Sequence, residues 1–400
     1  MPEGEPEAAP LRVLFISSGA GLTGAPRVLL LLARHLASSG AIRPAFLFRS
    51  SGPLLHEFAR LGPVETLVTP NRARQWQRGP VYDARVLAPV GRLALRTRGF
   101  DLCYSNTVTN GRALRALRPL RLPTVTHVHE LAEWVATFVT PSSLRDTCRA
   151  SDDFVACSGA VDRYLTEDLQ IDRERVHVVH EFVDVHVVSA GRRQGALRDR
   201  LGLAADTVLV GGCGTLDDRK GADLFLDVAA RIHERHPDLR PPGAPGGVRL
   251  VWLGGKDDDV TRFRTEAAAR GLADVVTFPG PVPGAEHLFT DLDVFLLTSR
   301  EDPYPLVVLE CACVGVPSIV FAGAGGAPEF AEGGAGSIVP HLDVDAMSAE
   351  LERLLGDPEA RVALGTTAAR KVAERHDVRG AAPRLLEIML ATRGRKVSRR

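Results

Sequence analysis

A cationic pair stands at the start of a predicted helix in the second half of the chain. The apolar strand predicted over residues 208–213 ends in a polar, glycine-containing loop, and Arg219, Lys220 and Gly221 then open an amphipathic helix. Free N–H groups and cations at a helix start attract anions, so this loop suits a phosphate or diphosphate. Each well-placed donor to a leaving diphosphate stabilises the transition state by about 3–4 kcal/mol. The alternative interpretation is a solvated charge pair.

Two carboxylates eight residues apart, Asp302 and Glu310, follow the very apolar strand predicted over residues 294–297. Pro303 and Pro305 fix a rigid turn between them, and proline is tolerated in a first helical turn. Glu310 lies among apolar helix residues, where a lone carboxylate is costly, so we expect it to have a partner. A ribose diol, which donates two hydrogen bonds, fits that role. Asp302 is placed to accept hydrogen bonds from sugar hydroxyls.

Two glycine-rich loops are further candidates for phosphate contact. Gly19, Gly21 and Gly24 form a GxGxxG pattern between the first predicted strand and helix. A dinucleotide site would also need an acid at the end of the second strand, where this chain has Arg49, a residue suited to the 2′-phosphate of NADP. We favour a substrate-lining loop over an NADP site or a ligand-free turn. The second loop, residues 321–340, resembles a nest of N–H donors; the alternative is a flexible turn.

A His-x-His-Glu sequence ends another predicted strand. We expect His127 and His129 to point to opposite sides of the strand, and His129 and Glu130 to face the ligand cleft. His129 could steer an acceptor hydroxyl or touch a donor sugar, although an ordinary hydrogen-bonded loop histidine is equally compatible. This motif alone supplies too few converging ligands for a metal, so no metal site is predicted.

Short apolar, β-branched runs alternate with segments of helical period along the whole chain, which indicates doubly wound parallel sheets of the α/β class. The pattern restarts after a polar stretch, residues 184–205, that we expect to be weakly structured. Two Rossmann-like domains facing a central cleft are therefore predicted. Ligands of such sheets bind beyond the carboxyl ends of the strands, where all the loops above fall.

The predicted boundaries follow from this alternation. They are a disordered N-terminus (1–10), an N-terminal Rossmann-like acceptor domain (11–187), a C-terminal Rossmann-like donor domain (188–378), and a C-terminal helix with a basic tail (379–400). Residues 393–400 of that tail are expected to be disordered. The Pro/Gly-rich segment 237–247 is expected to form a surface insertion.

The bulk composition excludes several classes of protein. The 400 residues carry 49 basic and 49 acidic side chains, which argues against a dedicated nucleic-acid binder. The six cysteines form no CxxC pair and suit reduced, buried thiols in a cytoplasmic protein. The N-terminal residues lack the basic region of a secretory signal, and no apolar run approaches the roughly 18 residues of a membrane span.

Residues 71–121 contain eleven arginines and only two acids. A solvated helix face is the interpretation that we favour. The alternative is peripheral contact with the inner face of the cell membrane or with a phosphorylated, lipid-linked acceptor, at about 1 kcal/mol per basic residue near an anionic surface.

These motifs carry a family likeness. From about residue 11 to residue 376 the chain resembles the retaining glycosyltransferases of family 4, which have the GT-B fold. Lys220 matches the diphosphate-binding lysine of that family's Gly-Arg-Leu…Lys-Gly loop, although Thr215 replaces the arginine and Arg219 stands beside the lysine. Glu310 matches the second acid of the Glu-x7-Glu motif, which binds the ribose. Asp302 replaces the first acid, which contacts donor-sugar hydroxyls.

The resemblance implies roles for the remaining residues. Catalytic roles fall to His129, Lys220 and Asp302, and acceptor-side roles to Gly21, Gly24 and Glu130. The residues implied at the donor are Thr215, Arg219, Lys220, Asp302, Pro303, Tyr304, Pro305, Leu306, Glu310, Gly325 and Gly326.

The implied reaction moves a sugar, with retention, from a UDP- or GDP-linked donor to a hydroxyl of a glycan, a lipid-linked acceptor or a small molecule. The resemblance implies neither a cofactor nor an essential divalent metal. Two alternatives stay open: an NADP-dependent oxidoreductase that uses residues 19–24, and a non-catalytic nucleotide-sugar-binding protein. The departures at Thr215 and Asp302 keep the second alternative open.

Overall fold

The computed structural model describes residues 9–67, 80–192, 194–236, 247–282 and 284–398. The chain forms two compact units: unit 1 contains Met1–Glu181 and Val378–Arg400, and unit 2 contains Phe182–Asp377. The first unit thus ends six residues before the boundary predicted from the sequence, and the last helix belongs to unit 1. Residues 1–8 of the expected disordered N-terminus and most of the 237–247 insertion lie outside the described residues.

Unit 1 is built on a parallel sheet whose strands are largely buried. The strands are β1 (Leu11–Ser17), β2 (Ile42–Phe48), β3 (Val64–Thr66), β4 (Leu102–Ser105), β5 (Thr124–Val128), β6 (Asp153–Ala156) and β7 (Val176–Val178). Their order is β3-β2-β1-β4-β5-β6-β7, and every described pairing is parallel. Because helices cover both faces of such a sheet, its strands read as near-continuous apolar runs, which is why the sequence revealed them.

Helices connect the parallel strands of unit 1. They are α1 (Gly24–Ser38), α2 (Leu55–Leu61), α3 (Pro80–Thr97), α4 (Gly111–Leu117), α5 (Ala132–Phe138), α6 (Pro141–Ala150) and α7 (Gly159–Arg163). The helix α7 continues into a π-helical turn, Tyr164–Asp168.

Unit 2 repeats the arrangement. Its strands are β8 (Val208–Cys213), β9 (Val248–Leu253), β10 (Val276–Gly280), β11 (Val294–Leu297), β12 (Ser318–Phe321) and β13 (Ser337–Val339). They pair in parallel in the order β10-β9-β8-β11-β12-β13. The helices are α8 (Val185–Ala190), α9 (Ala196–Leu201), α10 (Ala222–Arg235), α11 (Asp257–Ala269), α12 (Leu306–Cys313), α13 (Ala327–Ala331), α14 (Val344–Gly356) and α15 (Pro358–Arg375). A last helix, α16 (Val378–Ser398), returns to unit 1.

Each sheet reverses its winding direction once, between β1 and β4 in unit 1 and between β8 and β11 in unit 2. The loops that leave these neighbouring strands at such a switch point diverge and open a crevice for a ligand. The α/β class and the doubly wound topology predicted from the sequence are confirmed.

The expectation of a weakly structured stretch over residues 184–205 is wrong, because this stretch contains α8 and α9. The carboxylate of Asp184 caps α8 by accepting the Val187 N–H at 3.0 Å. The carboxylate of Asp291, far along the chain, accepts the N–H groups of Gly195 at 2.6 Å and Leu197 at 2.7 Å at the start of α9. A cap supplied from a distant loop leaves no local sequence signal.

The expected disorder of residues 393–400 is also wrong as far as Ser398, because α16 runs to that residue. Asp153 is buried, and its carboxylate accepts hydrogen bonds from Thr392 at 2.6 Å and from Arg395. Lys396 pairs with Asp152 at 2.7 Å. These basic residues are counter-ions of unit 1 rather than a solvated tail.

Two further expectations concern membrane-spanning helices and the state of the cysteines. None of the helices in the described ranges is both long and apolar enough to cross a bilayer. All six cysteines are free thiols, as the sequence predicted, and burial raises the pKa of the Cys103 thiol to about 12.

The contact between α16 and Asp153 generates a prediction. Replacing Asp153 with Asn should lower the free energy of unfolding by about 1 kcal/mol, because the charge-assisted hydrogen bonds from Thr392 and the half-exposed Arg395 lose their anionic acceptor. Chemical denaturation measures this loss, and Asp168→Asn, at an exposed position, is the control.

The loss of stability caused by Asp153→Asn should depend on pH. Burial alone would raise the pKa of Asp153, but hydrogen bonds from His177 and Thr392 and the charge of Arg395 outweigh it and lower the pKa. The stabilisation is therefore present above the unfolded pKa of about 3.9 and is lost as the pH falls through the lower folded value. An equal difference between wild type and variant at every pH would contradict this account.

Candidate functional site

The switch point of unit 2 brings together the cations and the carboxylate that the sequence singled out. Lys220 follows β8 and Asp302 follows β11, and the Nζ of Lys220 lies 2.5 Å from Oδ2 of Asp302. Both side chains are largely buried, with 15% and 7% of their surface exposed. The guanidinium of Arg219 lies 3.8 Å from the same carboxylate oxygen. Two positive groups and one negative group therefore share a small, poorly hydrated space.

The backbone at the start of α10 fixes the direction of Lys220. Gly221 has a left-handed conformation (φ +66°), and a Cβ there would lie 2.0 Å from the carbonyl oxygen of Thr298. The Thr298 hydroxyl in turn donates to the Gly221 carbonyl at 2.8 Å. Only glycine allows this approach between the start of α10 and the end of β11, so the Lys-Gly dipeptide is a structural unit.

The predicted donor loop is closed by its own polar side chains. The carboxylate of Asp217 accepts the backbone N–H of Lys220 at 3.0 Å and the hydroxyl of Thr215 at 2.7 Å. Arg219 donates to the Glu301 carbonyl at 3.1 Å and so joins this loop to the one after β11. Thr215, which replaces the arginine expected from the resemblance, thus stabilises the loop.

A third loop, which contains Gly325 and Gly326, is joined to Asp302 through the backbone. The Asp302 N–H donates to the Ala324 carbonyl at 2.6 Å, and the Gly326 N–H donates to the Asp302 carbonyl at 3.1 Å. Gly325 has a φ of +120°, which favours glycine. The structure therefore brings Lys220, Asp302, Gly325 and Gly326 together at the carboxyl ends of neighbouring strands.

The turn after Asp302 positions Glu310. Pro305 occupies the N-cap of α12, and Leu306 is the first helical residue. Between them and Asp302 lie Pro303 and the buried Tyr304, whose hydroxyl is 3.4 Å from Nε2 of His376. Glu310 is one turn further on and only 4% exposed. The burial expected for this carboxylate is therefore confirmed, and its contact with a ribose stays a prediction.

In unit 1, His127 and His129 lie on the same side of β5, with ring centroids 4.0 Å apart. The expectation that they point to opposite sides is wrong, because residues i and i+2 of a strand share a face. Burial, and then the charge of His129, hold the pKa of His127 well below its usual range. His127 is therefore a neutral imidazole, and its Nδ1 lies 2.8 Å from the hydroxyl of Tyr104.

His129 has acceptors at both ring nitrogens. Its Nδ1 lies 2.5 Å from the carboxylate of Glu181, and its Nε2 lies 3.1 Å from the side-chain oxygen of Asn106. The Asn106 amide is oriented by its own N–H group, which donates to the Ala25 carbonyl at 2.8 Å. Two acceptors require two protons, so His129 is an imidazolium. Burial lowers the pKa of His129, but the charge and hydrogen bond of Glu181 outweigh it and raise the pKa.

One nitrogen from each of His127 and His129 and one oxygen of Glu181 lie within 4.8 Å of one another, a grouping with the donor types of a zinc site. A cation bound to both Nδ1 of His129 and the Glu181 oxygen, with bonds of about 2.0–2.2 Å, would hold these atoms roughly 3.3 Å apart. The observed separation is 2.5 Å. A shared proton fits this distance better than a metal.

Glu130, predicted on the acceptor side, is buried against the loop that follows β4. Its carboxylate accepts hydrogen bonds from the Thr107 hydroxyl, the Val108 N–H at 3.2 Å and the His129 N–H at 3.1 Å. Burial raises the pKa of Glu130 in spite of these contacts. The Glu130 carboxylate thus joins the loop after β4 to the end of β5. Its contact with an acceptor stays a prediction.

The first glycine loop is held by the segment after β2. A Cβ at Gly52 would lie 2.2 Å from the Ala20 carbonyl oxygen, and the Leu54 N–H donates to that carbonyl at 3.0 Å. A Cβ at Gly21 would meet no atom within 4 Å, so the loop has open space on that side. Gly24 is the first residue of α1.

Sequence reasoning missed Glu181 and Asn106. Both follow strands of unit 1, as the predicted residues do, but neither belongs to a motif with a recognisable spacing. Of the arginine-rich stretch, residues 71–79 lie outside the described residues. Within the described part, Arg92 pairs with Glu65 at 2.6 Å and Arg115 with Asp83 at 3.4 Å, which reduces the charge available to a membrane.

Comparisons with known proteins match both halves of the chain. Residues 22–187 match the family model described as Glycosyltransferase Family 4, and residues 194–371 match Glycosyl transferases group 1. The D-inositol 3-phosphate glycosyltransferase of Stackebrandtia nassauensis is 28% identical over 286 residues, which cover 67% of this chain and 63% of that protein. The chain thus aligns with less than two thirds of the length of that relative.

Solved structures share the fold. Anabaena Alr3699/HepE, in complex with UDP-glucose, superposes with a TM-score of 0.77 at 20% identity over 95% of this chain and all of that one. Sucrose-phosphate synthase from Thermosynechococcus elongatus superposes with a TM-score of 0.75 at 18% identity over 94% of this chain and 98% of that one.

The contact between His129 and Glu181 generates a prediction. Replacing Glu181 with Gln removes the charge that raises the pKa of His129, so that pKa should fall. Because the folded pKa is raised, the pair stabilises the protein below the unfolded pKa of about 6.5, and this contribution is lost as the pH rises through the folded value. NMR titration of the labelled imidazole measures the shift, with Glu167→Gln, at an exposed position, as the control. An unchanged His129 titration in the Glu181 variant would exclude this account.

Proposed function

Because this chain belongs to the group 1 glycosyltransferases of the family-4 type, we propose that it transfers a sugar from a nucleoside-diphosphate sugar to an acceptor hydroxyl, with retention of configuration. The observation that carries the proposal is the cluster of Lys220, Asp302, Gly325 and Gly326 at the switch point of unit 2. Such a crevice is where a doubly wound sheet binds a nucleotide.

The donor side divides into three tasks. Lys220 and Arg219 provide positive charge for the diphosphate, and the N–H groups around Gly325 and Gly326 add neutral donors. The carboxylate of Glu310, which is buried within α12, accepts hydrogen bonds from the ribose hydroxyls. The carboxylate of Asp302 accepts hydrogen bonds from hydroxyls of the sugar that is transferred. These are the roles that the family resemblance assigns to the same positions.

The reaction breaks the bond between the anomeric carbon and the diphosphate oxygen and forms a bond from that carbon to the acceptor oxygen. The acceptor proton leaves with the nucleoside diphosphate. Charge builds up on the diphosphate as the first bond breaks, and Lys220 stabilises that charge more than it stabilises the intact donor. Since this charge comes from side chains and backbone N–H groups, no divalent metal is needed in the proposed mechanism.

UDP-linked sugars are the first donors to test, with GDP-linked sugars next, because a structural neighbour is a complex with UDP-glucose. The curated relatives act on D-inositol 3-phosphate, which makes a phosphorylated small molecule a natural acceptor alongside glycans and lipid-linked sugars. The free thiols support action in the cytoplasm. Peripheral contact with a membrane remains a proposal that the basic residues of α3 and α4 support only partly.

Two other functions give different results in a binding experiment. An NADP-dependent oxidoreductase would be stabilised by NADPH and not by UDP-glucose. A non-catalytic protein would bind UDP-glucose without releasing UDP over a broad panel of acceptors. The position of Arg49 weakens the NADP alternative, because its guanidinium donates to the Thr109 carbonyl at 2.5 Å.

The proposed diphosphate contact can be tested at Lys220. Lys220→Ala should lower the rate of transfer from UDP-glucose by roughly a hundredfold to a thousandfold, the effect of losing one donor to a developing charge. Glu310→Gln should mainly raise the KM for the donor. Lys256→Ala, an exposed lysine of the same unit, is the matched control. If both site variants remain folded and keep full activity with every donor, the site assignment is wrong.

A separate test concerns Asp302, which pairs with Lys220. Asp302→Asn should bind UDP roughly tenfold more tightly, about 1.4 kcal/mol, because Lys220 loses its internal counter-ion and the diphosphate loses a repulsive neighbour. Transfer should fall at the same time, since a sugar contact is lost. Asp302→Glu should keep both properties near wild type. Calorimetry measures the affinity, and unchanged or weaker UDP binding by Asp302→Asn would contradict the ion-pair argument.

A further inference from the structure

Arg300 lies three residues after the end of β11, at the switch point of unit 2. Its backbone N–H donates to the carbonyl of Arg219 at 2.8 Å. The hydroxyl of Thr298 donates to the carbonyl of Gly221 at 2.8 Å. The loop after β11 therefore holds the residues on both sides of Lys220 in the loop between β8 and α10.

The guanidinium of Arg300 forms a two-bonded contact with Asp223, which lies in the first turn of α10. Its Nη1 and Nη2 donate to the two carboxylate oxygens at 2.9 and 2.5 Å. The same Nη1 donates to the backbone carbonyl of Asp218 at 2.6 Å and lies 3.4 Å from the carboxylate of that residue. The hydrogen bonds between Arg300 and Asp223 raise the pKa of the arginine and lower the pKa of the carboxyl group. Because the Asp218 carboxylate is almost fully exposed, Asp223 is the main partner of Arg300.

The segment around Lys220 is acidic on balance. Residues 217–223 contain three aspartates but only one arginine and one lysine. Lys220 also pairs with Asp302 at 2.5 Å. Carboxylates without a counter-charge would repel a diphosphate bound to Lys220, because charges interact over several ångströms even where water screens them. Arg300 supplies the positive charge that offsets Asp223.

We propose that Arg300 is a positioning residue for the diphosphate of the donor. It holds the loop that contains Lys220 and neutralises the carboxylate of Asp223, so that the charge of Lys220 acts on the ligand. This inference rests on the proposed function, in which Lys220 binds the diphosphate. Since the effect is electrostatic, it should increase with the negative charge of the ligand and be absent for a neutral nucleoside.

The test breaks the contact between Arg300 and Asp223 from each side. Arg300→Met leaves the carboxylate without its counter-charge and should weaken the binding of UDP about fivefold. Asp223→Asn removes the carboxylate instead and should strengthen the binding of UDP about twofold. The variant with both changes should bind UDP within about twofold of wild type, because the two charges cancel. Calorimetry with UDP, UMP and uridine measures the affinities, and uridine should bind equally to all four proteins.

A purely mechanical role for this contact gives a different pattern. Loss of the contact would then weaken the binding of UDP and uridine alike, whichever partner is replaced. Weaker or unchanged binding of UDP by Asp223→Asn therefore overturns the proposal, and this result decides alone if Arg300→Met does not fold. Arg300→Lys keeps the charge without the two-bonded geometry and should bind UDP more tightly than Arg300→Met. The control is Arg353→Met, which breaks a two-bonded contact with Glu350 on α14 and should bind all three ligands as wild type does.

The same proteins separate this inference from the proposed function. Opposite shifts of UDP affinity in Arg300→Met and Asp223→Asn, without transfer of glucose from UDP-glucose to any acceptor, support the role of Arg300 and contradict the transferase. Transfer of glucose together with shifts in the same direction supports the transferase and overturns the role of Arg300. A wild-type protein that binds neither UDP nor UMP contradicts both.

Discussion

The ion pair between Lys220 and Asp302 is the contact around which the three loops of the candidate site in unit 2 are arranged. Desolvating two charges costs several kcal/mol per ion, and the loss is offset only when each charge has a partner in good geometry. The loops after β8 and β11 meet through this pair, and the backbone of Asp302 carries the third loop with it. Under the proposed function, a ligand diphosphate would replace the carboxylate as the partner of Lys220.

In unit 1 the buried polar groups form a chain of hydrogen bonds centred on His129. The chain runs from the Ala25 carbonyl through Asn106 and His129 to Glu181. Asn106 and His129 each contact two neighbours, so the imidazole has little freedom to reorient. A ligand hydroxyl that uses Nε2 of His129 has to displace only the amide of Asn106, which is its neutral partner. The carboxylate remains and keeps the ring charged.

The sequence predicted the sheets well and the polar contacts poorly, for a physical reason. A strand buried on both faces needs a continuous apolar run, and residues 208–213 and 294–297 were located with the bounds that the structure has. Once the strands are located, the loops at their carboxyl ends follow from the sequence as well. The hydrogen-bond partners of the side chains in these loops could not be predicted, because Asp291 caps α9 and Glu181, 52 residues away, is the partner of His129. Such pairs are set by the three-dimensional path of the chain.

The return of α16 to unit 1 affects the order in which the protein can be made. Unit 2 is one continuous segment, whereas Asp153 receives its partners from Thr392 and Arg395, which leave the ribosome more than two hundred residues later. Until those two residues have been made, the carboxylate of Asp153 lacks two of its hydrogen-bond donors. Unit 2 can therefore fold without any segment from outside itself, whereas unit 1 is complete only after the last helix has been made.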